Sequence, residues 1–167
     1  GNVTFNAGNI ELLGVDLTLK YLATDGLELG FTGNYIDTEF VELGVTNASH
    51  RVGDPLDNTA QYGYNLWANY SFNWSDQSTG YLRVDFGRQG KAHYRNRIYD
   101  IPAIGFEYHS TSAVTDMLNT RLGWEQDAWS LELYGENLLD EDGFLGPAGL
   151  ELAAIRPRPR TIGVNVG

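Results

Sequence analysis

Leu118-Asn119-Thr120-Arg121-Leu122-Gly123-Trp124, then Glu125-Gln126-Asp127-Ala128, then Trp129-Ser130-Leu131-Glu132-Leu133-Tyr134, is the stretch that decides the fold. Leu118, Thr120, Leu122 and Trp124 alternate with polar or small neighbours. After the turn, Trp129, Leu131 and Leu133 alternate with Ser130, Glu132 and Tyr134. A period of two with one greasy and one wet face predicts two half-buried strands joined by a tight turn. Trp124 and Trp129 flank that turn on the greasy face, and an indole, with its apolar body and polar N–H, suits a membrane–water boundary.

The same plan repeats upstream. From about 10 to 21, Leu13, Val15, Leu17, Leu19 and Tyr21 oppose Leu12, Gly14, Asp16, Thr18 and Lys20. Thr24-Asp25-Gly26 predicts a turn with Gly26 at positive φ. Leu27, Leu29, Phe31, Gly33 and Tyr35 then oppose Glu28, Gly30, Thr32 and Asn34. From about 39 to 60 the period fails and Asp54-Pro55 and Asp57-Asn58 appear, which predicts a long loop. Tyr62, Tyr64, Leu66, Ala68, Tyr70, Phe72 and Trp74 form the clearest strand. A turn at Ser75-Asp76-Gln77-Ser78 leads to Leu82, Val84 and Phe86 set against Arg83, Asp85 and Gly87. Arg83 and Asp85 on one strand face belong in a wet interior, because lipid would penalise them. A second long loop is expected from about 88 to 112. A third follows Leu133 and holds Asp140-Glu141-Asp142-Gly143 and Gly146-Pro147-Ala148-Gly149, before a last run with Ile162, Val164 and Val166 on one face.

Composition narrows the classes. With no cysteine among 167 residues, neither a disulfide framework nor a thiolate nucleophile or metal site is available. A formal charge of −11 argues against a nucleic-acid partner. No apolar run approaches the roughly 20 residues of a membrane helix, and mean hydropathy is −0.31. A β-barrel escapes both criteria, since only alternate residues meet lipid. Short turns alternate strictly with long loops, so an antiparallel meander would carry all its turns at one end and all its loops at the other. The fold class expected is therefore all-β, an antiparallel meander of about seven strands forming part of a transmembrane β-barrel.

Four stretches carry a family resemblance: Asn6-Ala7-Gly8-Asn9-Ile10-Glu11-Leu12-Leu13-Gly14-Val15-Asp16, Asn34-Tyr35-Ile36-Asp37-Thr38-Glu39-Phe40, Glu132-Leu133-Tyr134-Gly135-Glu136-Asn137-Leu138-Leu139-Asp140-Glu141 and Arg158-Pro159-Arg160-Thr161-Ile162-Gly163-Val164. In this order and spacing the chain resembles the C-terminal part of a TonB-dependent outer-membrane receptor along nearly its whole length. That family's barrel has roughly 22 strands closed by an N-terminal plug, and it imports scarce nutrients such as ferric siderophores, cobalamin or glycans with energy passed from an inner-membrane complex. The resemblance implies that residues 1–167 are a barrel segment without the plug, in the bacterial outer membrane. Its partners would be the remaining strands and plug of the same receptor, TonB through a segment not in this chain, outer-membrane lipid and lipopolysaccharide, and a small nutrient ligand. It implies no enzyme, no cofactor and periplasmic turns at Asp25, Asp76 and Gln126.

Arg88, Lys91, His93, Tyr94, Arg95, Arg97 and Tyr99 interleave cations with aromatics in the second long loop. They are the expected ligand-binding residues, through charge-assisted hydrogen bonds and stacking, the alternative being a solvated loop facing lipopolysaccharide phosphates. Asp140-Glu141-Asp142 lacks calcium-loop spacing and reads as an acidic turn. No catalytic or metal motif is found, His50, His93 and His109 being scattered. Asn47-Ala48-Ser49 and Asn73-Trp74-Ser75 match a glycosylation pattern that the girdle position of Trp74 discounts. Asp16, Lys20, Glu28, Arg83, Asp85, Arg121 and Glu132 are expected to pair across neighbouring strands on the wet face. Two rivals remain: a small closed ligand-binding barrel of lipocalin type, and a passive or structural outer-membrane barrel.

Overall fold

The computed structural model describes residues 8–45, 50–95, 102–105, 109–148 and 153–167. Its strands in chain order are β1 (Gly8–Thr24), β2 (Leu27–Leu43), β3 (Tyr62–Ser75), β4 (Ser78–Gln89), β5 (His93–Arg95), β6 (His109–Thr111), β7 (Thr115–Gln126), β8 (Trp129–Glu136), β9 (Gly146–Ala148), β10 (Ala153–Ile155) and β11 (Thr161–Val166). Seven of them form one antiparallel sheet in the order β1-β2-β3-β4-β7-β8-β11, a meander with hairpins β5–β6 and β9–β10 set into two of its long connections. The outer edges of β1 and β11 are unpaired among the described residues, so the sheet is open.

Register makes each face continuous. Val15 lies opposite Tyr35, Phe31 opposite Leu66 and Leu66 opposite Phe86; Phe86 is opposite Leu118, Leu122 opposite Leu133 and Leu133 opposite Val164. Since paired residues project to the same side, every alternating apolar set in the chain falls on a single face. Leu66, Leu82, Leu122, Leu131 and Leu133 remain 41–47% exposed although they stand in the middle of the sheet. Nothing among the described residues covers them. The opposite face carries Lys20, Asn34, Trp67, Arg83, Asp85, Arg121 and Glu132. Several of its glycines are roofed by a ring from the paired strand: Trp67 over Gly30, Tyr81 over Gly123 and Tyr134 over Gly163, where an added Cβ would come within 2.0–2.4 Å of ring atoms.

Three two-residue turns, Asp25-Gly26, Asp76-Gln77 and Asp127-Ala128, lie at one end of the sheet. Asp127 takes positive φ, 50°. Gly26 does not, contrary to expectation. It is glycine because a Cβ there would sit 2.3 Å from the Ser71 carbonyl oxygen, while its own carbonyl accepts from Ser71 N at 2.8 Å.

The first long loop also begins later than expected, because β2 continues to Leu43 and pairs with the start of β1 across a bulge at Asn9/Ile10. There the polar-face positions turn inward under the loops. Phe40 is 3% exposed, stacks on His50 at 4.5 Å between ring centroids, and exchanges backbone hydrogen bonds with Gly53 and Asp54. Buried Thr38 accepts from Leu56 N at 3.0 Å. Phe40, Ala92 and Tyr94 are the buried apolar residues of the described chain, and all lie at this end. The loops are tied together by Asn58 N to His93 O, Ala113 N to Phe144 O and the Ala60–Ala92 bridge. The sheet thus has a small cap at its loop end and no apolar core along its length.

Candidate functional site

Four of the seven residues expected to bind ligand, Arg88, Lys91, His93 and Tyr94, have described side chains. Arg88 lies on β4 rather than in a loop, and its side chain is on the apolar face, opposite Asp116 of β7. The guanidinium donates to both Asp116 carboxylate oxygens, Nε at 2.6 Å and Nη2 at 2.5 Å, so its fork is already filled. Tyr94 is 8% exposed and donates its hydroxyl to the Leu145 carbonyl, edge-on to Phe144 at 6.3 Å. Burial pushes the Tyr94 phenol above its ordinary pKa, with the negative charge of Asp57 adding to the effect. Tyr94 is therefore a pillar of the cap. Lys91 and His93 are exposed at the same end, Arg95 closes β5, and Arg97 and Tyr99 lie outside the described residues. Arg88 precedes the end of β4 on the outward parity, whereas Tyr94 faces the cap.

The polar face holds a second group of charged side chains. At its turn-ward half Arg83, Asp85, Arg121 and Glu132 are internally paired. Arg83 donates Nε and Nη2 to the two oxygens of Asp85, each at 2.8 Å, and lies 5.2 Å from the centre of the Trp67 ring. Lys20 Nζ approaches the same ring at 5.9 Å. Arg121 sits 3.8 Å from both Glu132 and Glu136. Glu132 also accepts from the Tyr81 hydroxyl and from Asn165 Nδ2 at 2.9 Å. Arg121 with Glu132 meets the expectation of cross-strand pairing, and Arg83 with Asp85 pairs along one strand instead. Trp67, Tyr81 and Asn165 join this network although charge alone had not marked them; their place on the wet parity was the available signal.

Toward the loop end the same face carries mostly uncharged polar side chains. A cavity of about 1020 Å³ opens there, with Thr32, Asn34, Asn65, Gln89, Thr115 and Met117 among its walls. Asp16, Arg88, Glu136 and Arg158 also line it. A second cavity of about 500 Å³ lies over the Arg83, Asp85, Arg121 and Glu132 network.

The acidic turn after β8 is a structural clasp. Asn137 is 1% exposed, takes φ 50°, and uses its amide to donate to the carbonyls of Glu141 at 2.9 Å and Arg158 at 2.7 Å while accepting from Glu141 N at 2.8 Å. Asp140 pairs with Arg160 at 3.1 Å, and Glu141 accepts from Gly143 N at 2.8 Å. The Asp140 and Glu141 carboxylates are thus engaged within the chain.

The chain matches no protein-family model, no curated protein and no solved structure.

Proposed function

We propose that this segment is part of the wall of a TonB-dependent outer-membrane receptor. In this reading the apolar face meets lipid, the polar face lines the lumen, and the long loops face outward to capture a scarce nutrient such as a ferric siderophore. The observation that carries it is the uncovered apolar face of a single-layer sheet whose other face is polar and ion-paired. In water such a face would be a patch far beyond the few hundred Å² usual for a soluble monomer. In lipid it is the lowest-energy arrangement, because the wet residues turn inward.

Three further features support the reading. On β3 the outward rings Tyr62 and Tyr64 at one end and Phe72 and Trp74 at the other bracket Leu66 and Ala68. About ten residues of strand at about 3.3 Å each, tilted about 45°, rise about 23 Å, near the roughly 25 Å apolar band of such barrels. Turns and loops are segregated to opposite ends, as outer-membrane barrels require. The open edges of β1 and β11 call for further strands, since a spanning sheet leaves no backbone group unpaired. Those strands and a plug would come from the same receptor, with TonB engaged elsewhere on it. The mechanism is capture and passage without covalent chemistry, so the segment is not an enzyme. The small closed barrel gains no support from an open sheet.

Cell-surface labelling tests this. The chain contains no cysteine, so single cysteines report cleanly on the segment. With the full-length protein in intact bacteria, Lys91→Cys is expected to react with a membrane-impermeant maleimide and Asp76→Cys only after the outer membrane is permeabilised. Equal labelling of both in intact cells would sink the reading.

A further inference from the structure

We propose that Arg158 is the anion-contacting residue of this wall, the guanidinium that takes a carboxylate or phosphate group entering the loop-end cavity. The inference rests on the reading of the polar face as a lumen wall, and adds to it a particular residue that grips what enters.

Arg156-Pro157-Arg158-Pro159-Arg160 sets three arginines two residues apart in the segment that leads into β11. The outer two are engaged by the acidic turn. Arg156 donates Nη1 to the Asp142 carbonyl, while Arg160 donates Nη2 to the Asp140 carboxylate at 3.1 Å and Nη1 to the Leu138 carbonyl at 3.4 Å. Arg158 differs. Its guanidinium has no hydrogen bond or ion pair among the described residues. It is exposed, and with Pro157 and Pro159 it lines the cavity of about 1020 Å³.

The neighbouring charges are already matched to one another. Arg88, the other arginine of the lining, has its fork filled by Asp116. Glu136 is paired with Arg121 at 3.8 Å. Asp16 lies on β1, at the opposite edge of the sheet from β11. An acidic group entering the cavity can therefore bind Arg158 without breaking an existing pair.

The backbone holds this arginine in advance. Proline fixes its own φ and keeps the residue before it extended, so Arg158, between two prolines, has little freedom left to lose. The Asn137 amide, 1% exposed, pins the Arg158 carbonyl at 2.7 Å. A guanidinium offers parallel N–H groups that match two oxygens of a carboxylate or phosphate, and a restrained stem lowers the entropic cost of using them.

The test uses the full-length protein in phospholipid nanodiscs, with citrate and pyrophosphate as the two probes. Phenylglyoxal adds to unengaged guanidinium groups, and peptide mass spectrometry reads each arginine separately. Arg158 is expected to react before Arg83, Arg88 and Arg160, and one or both probes should slow it about tenfold near saturation. Protection by citrate alone assigns the site to carboxylates, and by pyrophosphate alone to phosphates. In calorimetric titration, Arg158→Gln should weaken probe binding by about tenfold or more, the scale of a charge-assisted hydrogen bond. Arg158→Lys should restore part of it, since an ammonium keeps the charge without the fork. Heat-modifiable gel mobility and nanodisc insertion check that each variant folds. Inserted protein whose Arg158 reacts no faster than the paired arginines, is protected by neither probe, or whose probe binding survives Arg158→Gln overturns the site and leaves the receptor reading standing. Failure of the native protein to enter lipid overturns both.

Discussion

The Asn137 amide donates to the Arg158 carbonyl at 2.7 Å, fastening the end of β8 to the segment that leads into β11. The same side chain closes the turn onto Glu141 from both sides. Asn137→Ala leaves two part-buried carbonyls and an N–H without this partner and puts alanine at a left-handed position that asparagine tolerates better. A loss of about 2–4 kcal/mol is expected. Asp140→Ala, which removes an exposed ion pair with Arg160, should cost less than about 1 kcal/mol. Urea titration of the full-length protein in lipid vesicles ranks the two, and an equal cost would show that the clasp lies elsewhere.

Faces can be exchanged one residue at a time. Leu131 projects with Trp124 and Val166, its cross-strand partners, on the apolar face. Leu66→Arg, on the same face at the middle of β3, is expected to cost about 2–4 kcal/mol near the bilayer midplane. Glu132→Leu instead removes the acceptor of Tyr81 and Asn165 and should leave assembly intact. Normal assembly of the first variant alongside failure of the second would mean that the faces are reversed.

Roofed and bare glycines should respond differently to the same methyl group. A Cβ at Gly123 would lie 2.1 Å from Tyr81 Cε1, so Gly123→Ala must push the ring off and break its hydrogen bond to Glu132. Overpacking of this kind costs about 1–3 kcal/mol. Gly87→Ala meets only ordinary contacts and should be neutral or slightly stabilising. Thermal melts followed by gel mobility compare them, and equal destabilisation would remove the distinction.

The cap has an alkaline limit. Burial first and Asp57 second hold the Tyr94 phenol above its ordinary value, which favours the neutral form in the folded state. That stability is fully present below the ordinary phenol value of about 10 and is lost as pH rises through the higher folded one. Hydrogen exchange at β5 and β6 should therefore accelerate above about pH 10, and Tyr94→Phe should remove this dependence while costing about 0.5–1.5 kcal/mol for the bond to Leu145. An alkaline transition unchanged in the Phe variant would assign it to another group.

The seven sheet strands and their faces were legible because a period of two survives wherever one side is wet. It stopped being legible where the environment changed. Beyond Tyr35, Thr38 and Phe40 occupy polar-face parity yet are buried under the loops, so a loop was expected from about 39 although β2 runs to Leu43. The hairpins β5–β6 and β9–β10 are three residues per strand, too short to show a period. The ligand-site expectation weighted charge and aromaticity above parity. Arg88 and Tyr94 are conspicuous in sequence and occupied in space, whereas Asn34, Asn65 and Gln89 are inconspicuous and face the cavity. Their parity was readable, but which glycines carry rings emerges only from the register.

The central claim is that one face of this sheet meets lipid and the other lines an aqueous lumen. Trp124 and Trp129 share the apolar face with Leu131 and Gln126, their cross-strand partners, while Trp67 stands on the polar face beside Arg83 and Lys20. Single-tryptophan variants of the full-length protein, reconstituted in vesicles of brominated phosphatidylcholine, report the side directly. Strong quenching of Trp124 and Trp129 with little quenching of Trp67 is the predicted result. Quenching of Trp67 equal to theirs, or none at any of the three, would contradict it.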